Sequence, residues 1–117
     1  LPIKIFILNN QYMGMVRQWQ ELLHEKNYSE SYTAALPNFV KLAEAYGCVG
    51  IQAKKPDELD EKIKEMISIN KPVIFDCLVD PMENCFPMIP SGKPHNQMLL
   101  GPEDEKEEVS DEGKTLV

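Results

Sequence analysis

Apolar residues near the start of the chain change from an unbroken run to helical spacing. Residues 3–8 (IKIFIL) are apolar except for Lys4, and such a run is typical of a strand covered on both faces, as in a parallel sheet. The run stops at Asn9 and Asn10. Beyond Gly14 the spacing predicts a helix that ends near residues 26–27. Its apolar face is Met15, Val16, Trp19, Leu22 and Leu23, and its opposite face is Arg17, Gln18, Gln20 and Glu21.

A second helix is predicted to begin at Pro37, because proline is favoured at the first helical position. Leu36 stands where a polar cap is common, which weakens this start by about 1 kcal/mol. Gly47 is placed to end the helix in the left-handed conformation. The predicted buried stripe is Phe39, Leu42, Ala43 and Tyr46.

Two more strands and one more helix complete the pattern. Residues 48–52 (CVGIQ) and 72–79 (PVIFDCLV) predict strands. Between them a helix begins at Pro56, with acidic residues in its first turn. Its predicted buried side is Leu59, Ile63, Met66 and Ile67.

The order strand, helix, helix, strand, helix, strand predicts an α/β fold with a parallel sheet flanked by helices. Residues 1–80 form the predicted domain. Residues 81–101 are predicted to be a C-terminal arm, and residues 81–94, which contain four prolines, are predicted to lack regular structure. Residues 102–117 are predicted to be a disordered acidic tail. The chain begins with Leu1 inside strand-like sequence, which predicts that the N-terminal part of a longer protein precedes it.

Charge and composition exclude several classes of function. Of the net charge of −7, the segment from Glu103 to Lys114 carries −5 (seven acids against two lysines), which leaves −2 for the rest. Without clustered Lys and Arg, no nucleic-acid binding is expected. No apolar run approaches ~18 residues, so no membrane span is expected. Three cysteines without CxxC spacing favour a reducing compartment, with Cys48 and Cys77 as small core residues. His24 and His95 are predicted to be solvated.

The paired asparagines at the end of the first strand are the candidate site. Ligands bind outside the carboxyl ends of parallel strands, and the following helix N-terminus attracts anions such as diphosphates. An asparagine side-chain oxygen is a hard, neutral ligand that suits Mg²⁺, which takes few protein oxygens and completes its shell with phosphates and water. The chemistry that these groups indicate is a metal-bridged diphosphate. From the asparagine pair alone, the interpretation that the two residues only form a turn is nevertheless the favoured one.

Residues 4–29 (KIFILNNQYMGMVRQWQELLHEKNYS) resemble the diphosphate-binding end of thiamin diphosphate enzymes, specifically the family of acetolactate synthase (acetohydroxyacid synthase) catalytic subunits. The resemblance continues through PNFVKLAEAYG, PDELDEKIKEM and PVIFDCLVDPMENCFPMIPSG. In that family a Gly-Asp-Gly opens the segment that the paired asparagines close, and only the closing half is present here. The string GMVRQWQ is the most specific part of the match.

The resemblance implies a role for each matching residue. Asn10 matches the side-chain ligand of the Mg²⁺ that bridges the cofactor's diphosphate, and Tyr12 matches the position whose backbone carbonyl completes the metal shell. Trp19 matches a residue that lines the substrate channel and favours 2-oxobutyrate. Gly14, Met15 and Val16 match the segment that lies over the cofactor and borders the reacting carbons. Asn9 is assigned no ligand and is interpreted as a residue of the turn after the first strand.

The resemblance also implies the activity: condensation of pyruvate with pyruvate or 2-oxobutyrate, with loss of CO₂, at the first common step of branched-chain amino-acid biosynthesis. It implies Mg²⁺ and thiamin diphosphate here, and FAD and the activating glutamate on parts outside this segment, so the isolated chain is expected to be inactive. A homodimer or tetramer, a regulatory small subunit and a cytoplasmic location are expected. The alternatives are another thiamin diphosphate enzyme, such as a 2-oxo acid decarboxylase or oxidase, and a non-catalytic α/β interaction module.

Overall fold

A three-stranded parallel sheet organises the first part of the structure, a computed structural model that describes residues 1–101. The strands are β1 (Lys4–Asn9), β2 (Val49–Ala53) and β3 (Val73–Leu78), in the order β1-β3-β2. The helices are α1 (Gly14–Leu23), α2 (Phe39–Ala45) and α3 (Leu59–Ser68), and single 3-10 turns occur at Pro56–Glu58 and His95–Gln97. The parallel pairing and the alternation of strands and helices confirm the predicted α/β fold.

The described residues form two compact units. The first, which we call the sheet unit, comprises residues 1–12 and 33–82, and the second, the helix–arm unit, comprises residues 13–32 together with residues from 83 onward. The domain boundaries predicted at residues 80 and 101 stay predictions. The predicted acidic tail, residues 102–117, lies outside the described residues. No helix among residues 1–101 is long and apolar enough to cross a membrane.

The core of the sheet unit lies between the sheet and α3. Its buried residues are Ile51, Ala53, Met66, Val73, Phe75 and Cys77. The three from β3 alternate along the central strand and so share one face. Phe75 also stacks on Phe6 of β1, with ring centroids 4.5 Å apart and planes inclined by 9°. Complete burial of a phenylalanine side chain contributes roughly 1.5–3 kcal/mol, so the central strand supplies the strongest apolar anchor of the sheet.

The opposite face of the sheet approaches α2 closely at Gly50. A Cβ atom at this position would lie 2.7 Å from the backbone of Val40, so β2 needs a glycine where α2 packs. Because neighbouring strand residues point to opposite faces, Gly50 faces α2 while Ile51 faces α3. The even-numbered residues of β2 and β3, Gln52 and Asp76 among them, therefore lie on the α2 side of the sheet.

β1 is an edge strand of this sheet, and its apolar side chains are less covered than predicted. Ile5, Phe6 and Leu8 are exposed in the described structure, whereas β3 is buried as the sequence predicted for a covered strand. Lys4, the polar residue of the run, donates from Nζ to the carbonyls of Ile69 and Lys71, which follow α3. Of the strands predicted to be buried on both faces, the central strand β3 is buried and the edge strand β1 is not.

The start of α2 differs from the prediction. Pro37 lies outside the helix, and Asn38 is the cap, its side-chain oxygen accepting a hydrogen bond from the Lys41 N–H at 3.0 Å. The polar cap missed at Leu36 is therefore present two residues later. Tyr46 lies beyond the last helical residue and is 78% exposed, so its predicted place in the buried stripe is wrong, as is that of the exposed Leu42. Gly47 adopts a φ of +71°, which confirms the left-handed end.

Ile67 of α3 is the third residue of the predicted buried stripes that is exposed. The buried face follows Leu59, Ile63 and Met66, and the next position turns about 100° away from it. A 3-10 turn also precedes α3, so the helix begins at Leu59 and not at Pro56.

Glu58 closes the turn before α3. Its carboxylate accepts hydrogen bonds from the N–H groups of Lys54 and Lys55 and pairs with the Lys62 ammonium at 2.8 Å. The hydrogen bond from Lys62, followed by the two backbone N–H groups, lowers the pKa of Glu58 from 4.5 to about 2.

Because this pKa is lower in the folded chain, the ionised carboxylate stabilises the fold above about pH 4.5, and that contribution is lost as the pH falls toward 2. We therefore expect Glu58→Gln to lower the free energy of unfolding in urea at neutral pH, and the difference from wild type to vanish toward pH 2. Glu65→Gln, at an exposed acid of α3, is the control. A carboxyl titration of Glu58 by NMR with a midpoint near 4.5 would contradict this prediction.

Candidate functional site

The carboxyl ends of the three strands carry a buried polar network. Asp76 of the central strand is 3% exposed. One of its carboxylate oxygens accepts a hydrogen bond from Asn9 Nδ2 at 2.9 Å, and the other accepts one from Gln52 Nε2 at 2.7 Å. Each strand thus contributes one side chain, and both carboxylate oxygens are satisfied, as a buried charge requires.

Sequence reasoning missed Asp76 and its partner Gln52. The available signal was an acidic residue inside the otherwise apolar run PVIFDCLV, at a strand position where an apolar side chain would be expected. Asn9 was assigned to a turn, and the structure gives it that role and a second one, as donor to Asp76.

Two overlapping asparagine turns follow β1. Asn9 Oδ1 accepts a hydrogen bond from the Gln11 N–H at 3.1 Å, and Asn10 Oδ1 accepts one from the Tyr12 N–H at 3.2 Å. Gln11 has a φ of +61°, a conformation that is rare without glycine. Thr33 stabilises it, because both its N–H and its hydroxyl donate to the Gln11 carbonyl, at 2.9 and 2.6 Å. The backbone around Asn10 is therefore fixed from two sides.

Asn10 is half-buried and lines a shallow cavity of about 160 Å³ in the sheet unit. The other lining residues include Tyr12, Thr33, Leu36 and Phe39. Its Oδ1 uses one lone pair for the Tyr12 N–H, which is the turn interpretation, and a carboxamide oxygen keeps a second lone pair for a further donor or a cation. The turn and the ligand interpretations of Asn10 are therefore compatible.

These groups fit a magnesium ion that is shared with a diphosphate. Among residues 1–101 no cluster of three or more His, Cys, Asp or Glu side chains is arranged to hold a metal. The ligands that the Asn10 region offers are neutral amide and carbonyl oxygens. Mg²⁺ accepts a few such oxygens when phosphates and water complete its octahedron, whereas Zn²⁺ would need nitrogen or sulfur ligands.

In the helix–arm unit, α1 buries residues of its polar face and exposes residues of its apolar face. Met15 and Val16 are 52% and 43% exposed, whereas Arg17 and Gln18 are at most 1% exposed. The polar face of the predicted helix is therefore the buried one. The apolar side of α1 instead lines a cavity of about 530 Å³, bordered by Met15, Val16, Trp19, Gln20, His24 and Asn27.

The buried face of α1 is polar because it binds an irregular segment of chain. Arg17 pairs with Glu21 and donates to the Glu83 carbonyl at 2.9 Å and to Asn84 Oδ1 at 2.6 Å. Gln18 Oε1 accepts from the Cys85 N–H at 2.8 Å, and Gln18 Nε2 donates to the Cys85 carbonyl at 3.1 Å. Residues 83–85 have no strand or helix partner, so these side chains satisfy their backbone groups.

In the remaining part of the arm, residues 86–94 contain no helix or strand, as predicted, and a 3-10 turn follows at His95–Gln97. The arm also contains an isolated antiparallel bridge between Met88 and Leu99, and the Leu99 side chain is buried. His95 is exposed, as predicted, whereas His24 is half-buried at the cavity beside Trp19.

The cysteines behave as packing residues where they are buried. Cys77 lies in the core, and burial, followed by the negative charge of Asp76, raises the pKa of its thiol. A raised pKa keeps the thiol protonated and unreactive. Cys48 is half-buried and Cys85 is exposed.

Comparison with known proteins assigns the family. Residues 1–77 match the family model described as the thiamine pyrophosphate enzyme, C-terminal TPP binding domain. The chain belongs to this thiamine pyrophosphate enzyme family. The match confirms the predicted fold and the predicted cofactor class, thiamin diphosphate, and it disfavours the non-catalytic interaction module.

Within this thiamine pyrophosphate enzyme family, the chain is similar to acetolactate synthase large subunits. It is 48% identical over 100 residues to that of Cyanidium caldarium, covering 85% of this chain and 17% of the relative. It is 45% identical over 107 residues to that of Haemophilus influenzae, covering 91% and 19%. With the isozyme 3 large subunit of Escherichia coli, identity is 44% over 103 residues, covering 86% and 18%. The chain thus spans less than a fifth of the length of these relatives.

The buried Gln18 generates a prediction about the arm of this family member. Gln18→Leu removes the hydrogen bonds to the Cys85 N–H and carbonyl, and a hydrogen bond of this kind contributes about 0.5–1.5 kcal/mol to stability. We expect a loss of that size in the free energy of unfolding and faster hydrogen exchange of the Cys85 amide. Gln97→Leu, at an exposed glutamine on the arm, is the matched control. Equal effects of the two substitutions would show that the Gln18 contact does not hold the arm.

Proposed function

We propose that this chain is the part of an acetolactate synthase large subunit that anchors Mg²⁺ and thiamin diphosphate and lines the pocket for the second substrate. The proposed reaction is the decarboxylative condensation of pyruvate with pyruvate or 2-oxobutyrate. The observation that carries the proposal is the half-buried Asn10 carboxamide at the carboxyl end of β1, in a domain of the thiamine pyrophosphate enzyme family. The names of the relatives and the segment GMVRQWQ support the synthase over a decarboxylase or oxidase.

The chain is proposed to act only within a longer protein. The exposed apolar side chains of the edge strand β1 and the residues before it (Ile3, Ile5, Phe6 and Leu8) are suited to cover by further protein. Neutral oxygens alone would leave the diphosphate charge to Mg²⁺, so an acidic metal ligand is expected from elsewhere. The Gly-Asp-Gly motif, the activating glutamate and the FAD site are likewise proposed to lie outside these 117 residues. Assembly as a homodimer or tetramer, a regulatory small subunit and a cytoplasmic location complete the proposal.

The turn after β1 supports binding of the diphosphate. Asn10 Oδ1, with the Tyr12 carbonyl, would contribute neutral oxygens to the magnesium shell. When bound, thiamin diphosphate supplies the electron sink that decarboxylation of a 2-oxo acid needs.

The exposed face of α1 supports the role in substrate selection. Met15, Val16 and Trp19 give the cavity an apolar wall. Such a wall excludes water from the reacting groups and favours an acceptor with one more methyl group by about 1–3 kcal/mol. This is the difference between 2-oxobutyrate and pyruvate.

Asn10→Ala tests the anchoring role. In the full-length protein we expect it to weaken the binding of thiamin diphosphate in the presence of Mg²⁺ by about tenfold or more, measured by isothermal titration calorimetry. Asn70→Ala, at an exposed asparagine after α3, is the control and should bind like wild type. If Asn10→Ala also binds like wild type, Asn10 serves the turn alone and the proposed site is lost.

Trp19→Leu tests the pocket. In the full-length protein supplied with both acceptors, we expect the ratio of the product from 2-oxobutyrate to acetolactate to fall by about tenfold or more, because the apolar wall is shortened. Tyr46→Leu, at an exposed aromatic residue just after α2, is the control. An unchanged ratio would remove Trp19 from the pocket, and acetaldehyde or acetyl phosphate as the product from pyruvate would favour a decarboxylase or an oxidase.

A further inference from the structure

The Asp76 carboxylate is buried without a positively charged partner. The ion pairs among residues 1–101 are Arg17–Glu21 and Glu58–Lys62, so Asp76 is satisfied by neutral amides alone. Burying a charge with neutral donors is costly, and an apolar side chain at this strand position would not carry that cost. The position is therefore better explained by what Asp76 holds in place than by its contribution to stability.

Asp76 fixes the direction of the Asn9 amide. A carboxylate only accepts hydrogen bonds, so the Asn9 side chain must turn its Nδ2 toward Asp76, at 2.9 Å. Its Oδ1 is then directed at the Gln11 N–H, at 3.1 Å. Gln52 donates to the second carboxylate oxygen at 2.7 Å, so both oxygens of Asp76 are engaged. The network thus transmits an orientation from the central strand to the turn.

The turn in question contains Asn10. Gln11, held by Asn9, is the residue with the left-handed backbone, and Asn10 and Tyr12 flank it. A change in the Gln11 conformation would redirect both flanking residues, because the φ and ψ of one residue set the direction of its neighbours.

We propose that Asp76 is a positioning residue that, through Asn9 and Gln11, presents Asn10 and Tyr12 to the magnesium ion. The proposal rests on the proposed function, and Asp76 itself touches neither cofactor nor substrate. Partners that orient metal ligands in this way typically change metal affinity by about 10–100-fold when they are lost.

A swap of the two side chains tests the proposal. Asn9→Asp places a carboxylate against Asp76 and removes the donor between them. The double variant Asn9→Asp/Asp76→Asn exchanges the two groups, so the amide at position 76 would donate to the carboxylate at position 9 and still accept from Gln52. The carboxylate at position 9 would in turn accept from the Gln11 N–H, so every hydrogen bond is restored with the polarity of the central one reversed. The single variant Asp76→Asn is the reference with which the double variant is compared.

Two measurements on the full-length protein compare the variants with wild type. The first is the affinity for thiamin diphosphate with Mg²⁺, by titration calorimetry, and the second is hydrogen exchange of peptides covering residues 8–13 in the cofactor-free protein. Asn9→Asp should weaken binding by about tenfold or more and speed exchange, and the double variant should recover most of both losses. Because exchange is measured without cofactor, it reports the turn directly.

The outcomes separate the inference from the proposed function. If wild type binds the cofactor but Asn9→Asp binds equally well, or if the double variant is no better than Asn9→Asp, Asp76 does not position the turn. If wild type binds no thiamin diphosphate at all, the proposed function itself fails. Should Asn9→Asp not fold, Asn9→Ala removes the same two hydrogen bonds without adding a charge and is expected to show the same loss of affinity.

Discussion

The hydrogen bonds around Asp76 join all three strands at their carboxyl ends and determine what the sheet offers there. Two neutral amides satisfy the buried carboxylate, and one of them belongs to Asn9, which also forms the following turn. The central strand and the turn are therefore connected by side chains as well as by the backbone pairing of β1 with β3. In such a network the orientation of each side chain depends on which of its atoms donate and which accept hydrogen bonds. Replacing one side chain by another with a different set of donors and acceptors would therefore change the orientation of its neighbours.

The same principle explains α1, where polar contacts, not apolar ones, decide which face is buried. Arg17 and Gln18 are covered because residues 83–85 present unpaired backbone groups that a helix of apolar residues could not satisfy. As a result, Met15, Val16 and Trp19 are left to line a cavity. A helix whose polar side is used for structure has its apolar side available for a ligand, which is the reverse of the usual arrangement.

The sequence predicted most of the fold because the sheet follows from local patterns. Each strand was found to within about one residue at its ends, and the left-handed end at Gly47 was found from glycine alone. The errors in the predicted helix starts occur where the sequence offers two possible starting residues. Pro37 and Asn38 are both good starting signals for a helix, and the hydrogen bond to Lys41 decided for Asn38. The burial of α1 depended on a segment more than sixty residues away, which no window of local periodicity includes.

The candidate site shows a similar division. The paired asparagines were visible as a chemical pattern, but the distinction between a turn and a ligand was not, because both use the same carboxamide oxygen. The geometry of the turn is compatible with both uses. Asn9 directs its amide toward Asp76, Asn10 uses one lone pair for the Tyr12 N–H, and a second lone pair is left over. A turn that is already hydrogen-bonded loses less conformational freedom when it takes up a ligand, so the structural role of these asparagines strengthens the case for a binding role.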